Sequence, residues 1–247
     1  MPSIYVLLIL SLWEGLARSG TIAVLFFPSP SSILTTLWHL IISGEVFSNL
    51  EISLVRMSWG IFFGLVPGVL LGLAMGWSNR IQKIMDPFIA ALHPIPKIAI
   101  FPLIMIIFGL GEISKIVAIA ISAFFPMLIN SMAGVRQLTP VYFEVAKNYG
   151  ANRWKTFFRI VLPGSLPMIL AGARIAFNMA LVITIAVELL TAREGLGVMI
   201  WFAWETLRTK ELYATLVVIA ALGMGINYLL QKATALMTPW HRSNSTE

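Results

Sequence analysis

Five ionisable residues stand inside otherwise apolar stretches: Glu14, Arg56, Lys97, Arg174 and Glu188. A charge in such surroundings must pair, reach water or meet a counter-ion, because its isolated desolvation is costly. For Arg174 the available chemistry is electrostatic. A guanidinium with Asn178 one turn later on the same helical face reads either as an anion-attracting site or as a brace between helices, with Glu188 as a candidate partner on another helix. His93 and Lys97 bracket the run His93-Pro-Ile-Pro-Lys97, with Pro102 shortly after. Proline removes backbone donors, so carbonyls are left open, and such a break survives only beside protein or water. It reads as a gate or pathway lining, or as a simple kink.

Other chemistries find no footing. The three histidines, at 39, 93 and 241, lack metal-ligand spacing, and no cysteine exists for a disulfide or thiolate. No metal site, catalytic residue or cofactor of the chain's own is expected. A phosphate-cradling G-x-x-x-x-G-K-[ST] loop is absent, as are a nucleophile elbow and an H-E-x-x-H pair, so the chain should hydrolyse nothing alone.

The elements that carry these residues are dictated by composition. Of 247 residues, 58% are hydrophobic and 11% charged, against about 25% charged in soluble domains. Lipid must cover the excess apolar surface, and the expected fold is all-α: a polytopic transmembrane helical bundle of about six spans in a single membrane domain, residues 1–247. Spans are expected near 3–20, 49–77, 84–109, 113–136, 163–191 and 211–235. The first is read as retained, since it lacks a basic leader region and a clear cleavage site. One side would carry nine basic residues (Arg80, Lys83, Arg136, Lys147, Arg153, Lys155, Arg159, Lys232 and Arg242), the other five (Arg18, Lys115, Arg193, Arg208 and Lys210) diluted by glutamates. The positive-inside rule then makes both termini cytoplasmic. The net charge of +6 reports this orientation rather than a nucleic-acid partner.

Local signals refine the picture. Pro28 to Ser32 followed by Ile33, Leu34, Leu37, Trp38, Leu40 and Ile41 predicts a turn and a short amphipathic surface helix capped by Ser31 or Ser32. Gly60, Gly64, Gly68, Gly72 and Gly76 repeat every four residues, a stripe on which another backbone can pack closely. Pro67 within the row should bend the helix. The longest cytoplasmic loop has clear punctuation: Thr139 as N-cap, Pro140 at the first helical position, Gly150 as a left-handed stop, and Asn152 capping a second helix. That second helix carries Trp154, Phe157, Phe158 and Ile160 on one side, with Arg153, Lys155 and Arg159 facing headgroups or a partner.

Within this loop Glu144, Ala146, Gly150, Ile160, Leu162 and Pro163 follow E-x-A, three residues, G, nine residues, I-x-L-P. The pattern resembles the EAA motif of ABC importer permeases, with Val145 where that motif carries alanine. Further similarity to the nitrate, bicarbonate, sulfonate and taurine group lies in Phe27-Pro-Ser-Pro, Asp86-Pro, Pro94-Ile-Pro, Phe108-Gly-Leu-Gly-Glu112, Phe124-Phe-Pro126 and Glu194-Gly-Leu-Gly197. The resemblance implies a type I ABC importer permease fold with its core near residues 49–236. It also implies a cytoplasmic coupling segment at 139–161, with Glu144, Val145, Ala146, Gly150, Ala151, Ile160, Leu162 and Pro163 as coupling residues. Implied partners are a second copy of the chain, two ATP-binding subunits that hold ATP and Mg, and an extracytoplasmic solute-binding protein, all in a prokaryotic inner membrane. The solute implied is a small anion. Two alternatives from other classes are an ion-gradient-driven secondary transporter and a non-transporting assembly subunit. The first would bury more ionisable relays and gives no reason for a capped, glycine-stopped cytoplasmic helix, and the second would not need proline-broken spans.

Overall fold

A computed structural model describes residues 2–240; His241 and Arg242, weighed above for metal spacing and orientation, lie outside the described residues. Eleven α-helices are found among the described residues, and no strand: α1 (Pro2–Arg18), α2 (Pro30–Ile42), α3 (Glu45–Trp77), α4 (Asn79–Leu92), α5 (Phe101–Phe108), α6 (Glu112–Arg136), α7 (Pro140–Asn148), α8 (Arg153–Thr156), α9 (Leu162–Thr191), α10 (Leu196–Glu205) and α11 (Thr209–Met237). A π-turn, Phe157–Val161, joins α8 to α9. Four helical stretches are long and apolar enough to cross a bilayer: α3, α6, the run Arg153–Thr191, and α11.

Two expected spans differ. The 84–109 stretch is not one helix but α4 and α5 separated by residues 93–100. Pro94 and Pro96 supply no N–H to continue α4, and Pro102 sits in the first turn of α5, where a missing donor does no harm. The first helix has 17 residues, a little shorter than the expected 3–20 and at the lower end of the roughly 17–25 that span a bilayer. Helix α10 is not signalled by the sequence, because ten residues carry too few turns for a periodicity to stand out. The cap of α2 is also neither Ser31 nor Ser32. Ser29 takes the extended N-cap conformation and Pro30 the first helical position.

The chain divides into two compact units, Met1–Val55 with Ile185–Gly223, and Arg56–Thr184 with Met224–Glu247. In the first, Ile33, Leu40, Val46 and Ala214 form a buried cluster, with Trp13, Leu37 and Tyr213 packed on it. Glu14 ties α1 to α2: its carboxylate accepts from the Ser31 amide at 2.9 Å, the Ser31 hydroxyl at 2.7 Å and Arg18 Nε at 2.5 Å. An acid at a helix N-terminus meets open N–H groups and the positive end of the helix dipole.

In the second unit the glycine row of α3 packs on α6. A Cβ built on Gly64 would lie 2.5 Å from the Ala120 carbonyl oxygen, and one on Gly68 would lie 2.9 Å from that of Phe124. Such proximity brings backbone atoms into dispersion contact that any larger residue would prevent. Gly134 and Gly172 repeat the device between α6 and α9, against Ser165 and Asn130 respectively. Leu73, Met127, Val135, Val161, Ile169 and Ala173 fill the space between these three helices.

Candidate functional site

The residues singled out from sequence fall into several separate constellations. The first is the loop at 139–163. Thr139 has extended N-cap geometry and Pro140 opens α7, although the Thr139 hydroxyl makes no capping bond. Gly150 has φ of +66°. The Ala151 amide donates to the Ala146 carbonyl at 2.9 Å and the Gly150 amide to Lys147 at 3.0 Å. This is the paired 6→1 and 5→2 bonding of a Schellman stop, which satisfies carbonyls the helix end leaves open. Asn152 then caps α8, its side-chain oxygen accepting from the Lys155 amide at 2.9 Å. Two helices are thus joined by a short corner with hydrogen bonds at the end of one and the start of the other.

The faces of α7 are sharply divided. Phe143 packs its ring 6.1 Å from that of Trp77, and Trp77 in turn meets Phe157 at 5.9 Å. Ala146 is buried, so its small side chain serves packing onto the chain's own unit rather than close approach by another protein. Outward, Val141, Val145 and Tyr149 are 59%, 47% and 87% exposed, an i, i+4, i+8 apolar stripe, with Glu144 exposed beside it. Beyond the corner, the Leu162 amide donates to Phe157 O, five residues back. The helix is therefore one residue wider per turn where it enters α9, just ahead of Pro163. Ile160, Leu162 and Pro163 are half-buried there.

The second constellation is polar and lies midway along α9. Arg174 Nε donates to Asn227 Oδ1 at 3.1 Å, and Asn227 Nδ2 donates to Asn178 Oδ1 at 3.1 Å. Arg174 and Asn178 are exposed on the chain. The partner of Arg174 is thus an amide of α11 that the sequence reading passed over, a neutral residue carrying no charge signal.

The Glu188 carboxylate, a candidate partner for Arg174, is engaged elsewhere. It is 1% exposed and accepts from the Ser53 hydroxyl at 2.9 Å and the Gly197 amide at 3.0 Å. Ser53 Oγ accepts from the Leu196 amide at 2.9 Å, and Asn49 Oδ1 from the Gly195 amide at 2.7 Å. Gly195, at φ of +124°, provides no side-chain cap for α10. Residues of α3 and α9 therefore cap α10 in trans, and a Cβ on Gly195 would meet the carboxylate at 2.5 Å. Asn49 and Ser53, four residues apart on one helix face, were not singled out; only their spacing could have suggested a shared role.

At the break between α4 and α5, Lys97 Nζ donates to the carbonyls of Leu92 at 3.1 Å, His93 at 2.8 Å and Ile95 at 2.8 Å. Its ammonium thus supplies the donor that Pro96 cannot give Leu92, and a cation is favourable at a helix C-terminus. It also lies 4.5 Å over the Phe125 ring, and the His93 ring lies 5.5 Å from the same ring. Arg56 and Lys115, both buried, share Glu112, with Nε to Oε2 at 2.5 Å and Nζ to Oε1 at 2.7 Å. Lys115 belongs to this cluster rather than to an exposed outer loop. No group of His, Asp or Glu suited to a metal ion occurs among the described residues.

Known proteins are similar to this chain in sequence and in fold. The family profile described as "Binding-protein-dependent transport system inner membrane component" matches residues 64–242. The taurine transport system permease protein TauC of Escherichia coli is 34% identical over 94% of this chain and 86% of its own. The putative aliphatic sulfonates transport permease protein SsuC of Bacillus subtilis is 31% identical over 95% and 85%. The formylaminopyrimidine transport permease protein ThiX of Halalkalibacterium halodurans is 29% identical over 98% and 96%. Among solved structures, a chain of the MetNI methionine ABC transporter in inward facing conformations superposes with a TM-score of 0.61 at 18% identity, covering 80% of this chain and 96% of that one.

Proposed function

The chain belongs to the family of binding-protein-dependent transport system inner membrane components, and from that premise we propose that it forms the pathway for a small sulfonate-type anion and is driven by ATP-binding subunits docked on α7. It is a membrane-spanning permease subunit of the ABC importer class, not an enzyme in its own right. Two copies would enclose the pathway, two ATP-binding subunits holding ATP and Mg would power it, and an extracytoplasmic binding protein would deliver the solute. Both termini would be cytoplasmic in a prokaryotic inner membrane.

The observation that carries the reading is the division of α7. One face is anchored through Phe143 and buried Ala146, and the other leaves Val141, Val145 and Tyr149 open beside Glu144. A short helix with an apolar stripe exposed to solvent calls for a protein groove. The corner at Gly150 and Ala151 transmits displacement of α7 into α8, because both amides bond back to α7 carbonyls and Asn152 caps α8.

The solute rests on less. Relatives named for taurine, aliphatic sulfonates and formylaminopyrimidine are 34%, 31% and 29% identical to this chain, so likeness alone does not choose. Arg174 tips the choice toward an anion. Its Nη groups have no partner among the described residues, and an exposed guanidinium at mid-helix is excluded from lipid. Nitrate and bicarbonate would satisfy the same charge.

The test is import and ATP hydrolysis in reconstituted vesicles containing the permease, its ATP-binding subunits and its binding protein. Gly150→Val puts a β-branched residue at a left-handed φ, costing about 1–2 kcal/mol, and Glu144→Lys reverses the charge at the docking edge. Both variants should insert and both should lose binding-protein-stimulated hydrolysis. Unchanged hydrolysis and import in both would remove the coupling role from this segment.

A further inference from the structure

The loop that carries the coupling segment also walls a cavity of about 640 Å³ at the cytoplasmic end of α9, lined by Gln137, Thr139, Tyr142, Arg159 and Trp240 around a floor that includes Ile160 and Pro163. We propose that this cavity binds the phosphate headgroup of an anionic phospholipid from the cytoplasmic leaflet, with Arg159 as its cation.

The arrangement of polar and apolar atoms leads there. The Arg159 guanidinium makes no hydrogen bond or ion pair with any described residue, and the side chains of Gln137, Thr139 and Tyr142 likewise bond to none. Solvated polar side chains are ordinary on a convex surface. Here four exposed ones converge on one concavity that also has an apolar floor, and that apolar part is left in water unless something covers it. An amphiphile with a phosphate satisfies both parts: a planar guanidinium binds two phosphate oxygens side by side, the hydroxyls and the Gln137 amide supply the remaining donors, and the glycerol backbone and first methylenes cover Ile160 and Pro163.

Position favours lipid over a soluble anion. The π-turn and Pro163 lie in the first third of the long apolar run Arg153–Thr191, near the end at which that run would leave the bilayer, and on this proposal the cavity sits at headgroup level there. Trp154 and Phe158, within five residues of Arg159, and Trp240 in the cavity wall are exposed, at 71%, 57% and 61%, and such side chains prefer the membrane interface. Arg153 and Lys155 complete a basic patch with no carboxylate between residues 153 and 159, which the negative cytoplasmic leaflet attracts. The inference stands apart from the docking of an ATP-binding subunit on α7, whose exposed stripe is made of other residues.

Native mass spectrometry of the full chain, extracted with whatever subunits accompany it, reads the outcome. Probes are phosphatidylglycerol and phosphatidylcholine in mixed micelles, and free glycerol phosphate as competitor. The wild-type chain should retain phosphatidylglycerol in preference to phosphatidylcholine. Arg159→Gln should lose that preference by about tenfold, a change of about 1.4 kcal/mol, while Lys155→Gln, which removes an equal charge outside the cavity, should keep it. Glycerol phosphate in excess should leave the lipid bound. Equal retention by Arg159→Gln, or equal loss by Lys155→Gln, would overturn the site. Displacement by glycerol phosphate would make it a soluble-phosphate site. Release of an ATP-binding subunit by Arg159→Gln with lipid unchanged would assign the cavity to that protein instead.

Discussion

Glu188 and Arg174 look alike in the sequence, each a single charge in an apolar run, yet their surroundings give them opposite work. The Glu188 carboxylate is enclosed and receives the Ser53 hydroxyl and the Gly197 amide. Replacing it by alanine strands those donors in a buried place at a cost of about 2–3 kcal/mol. Glu188→Ala should therefore lower the thermal unfolding midpoint in detergent, and an unchanged midpoint would refute the trans-capping role. Arg174 holds one amide and is otherwise open. Arg174→Gln keeps a group able to donate to Asn227 but removes the charge, so the midpoint and co-purification of the ATP-binding subunits should stay the same while anion import falls. Loss of the assembled complex would instead make Arg174 a brace. Sequence flags both residues because charge in an apolar stretch is conspicuous. What it cannot convey is that Ser53, 135 positions from Glu188, supplies the buried donor.

At the scale of elements, periodicity carried furthest where one helix presented a regular face. The glycine row on α3 was legible as a packing stripe, and the structure adds its partner, α6. This yields a paired prediction. Gly64→Val would drive its Cβ to 2.5 Å from the Ala120 carbonyl, and since backbone cannot yield as a side-chain tip does, the helices must part at a cost of about 1–3 kcal/mol or more. Gly225→Ala on α11 meets nothing within 4 Å and should stabilise its helix by about 0.5–1 kcal/mol. Thermal melts of the two variants in one detergent check both; similar shifts would deny that α3 and α6 are held backbone to backbone. Caps were legible for a similar reason, since Thr139, Gly150 and Asn152 act on their immediate neighbours. The π-turn was not, because a single widened turn leaves the apolar pattern on either side almost unaltered.

For the whole molecule, the exposed surface speaks of more than lipid. Only 11% of the most apolar stretch of α11 is buried within the chain. On the same helix Asn227 joins Arg174 and Asn178, and exposed Arg and Asn side chains at mid-span do not face hydrocarbon. They need a water-lined pathway or a second copy. A closed two-fold pair supplies both with one interface, repeated by symmetry. The purified complex should accordingly weigh as two permease chains with two ATP-binding subunits. A stable complex with one permease chain, or with a second, different permease, would exclude the homodimer.

Composition alone determined that this chain is a helical membrane protein, because 58% hydrophobic residues with 11% charged leave no way to fold in water. Local spacing determined the capped helix at 140–148 and the row of glycines, since caps and helical faces depend on residues within a turn or two of each other. Tertiary structure decided the rest. It divided the 84–109 stretch into α4 and α5 and gave Lys97 to the open carbonyls at the break. It brought the Ser53 hydroxyl and the Gly197 amide to Glu188, and it placed Asn227 against Arg174. The physical reason is common to these cases. Whether a buried polar group is a site or a support depends on which donors and acceptors lie within about 3 Å of it, and those come from residues far away along the chain.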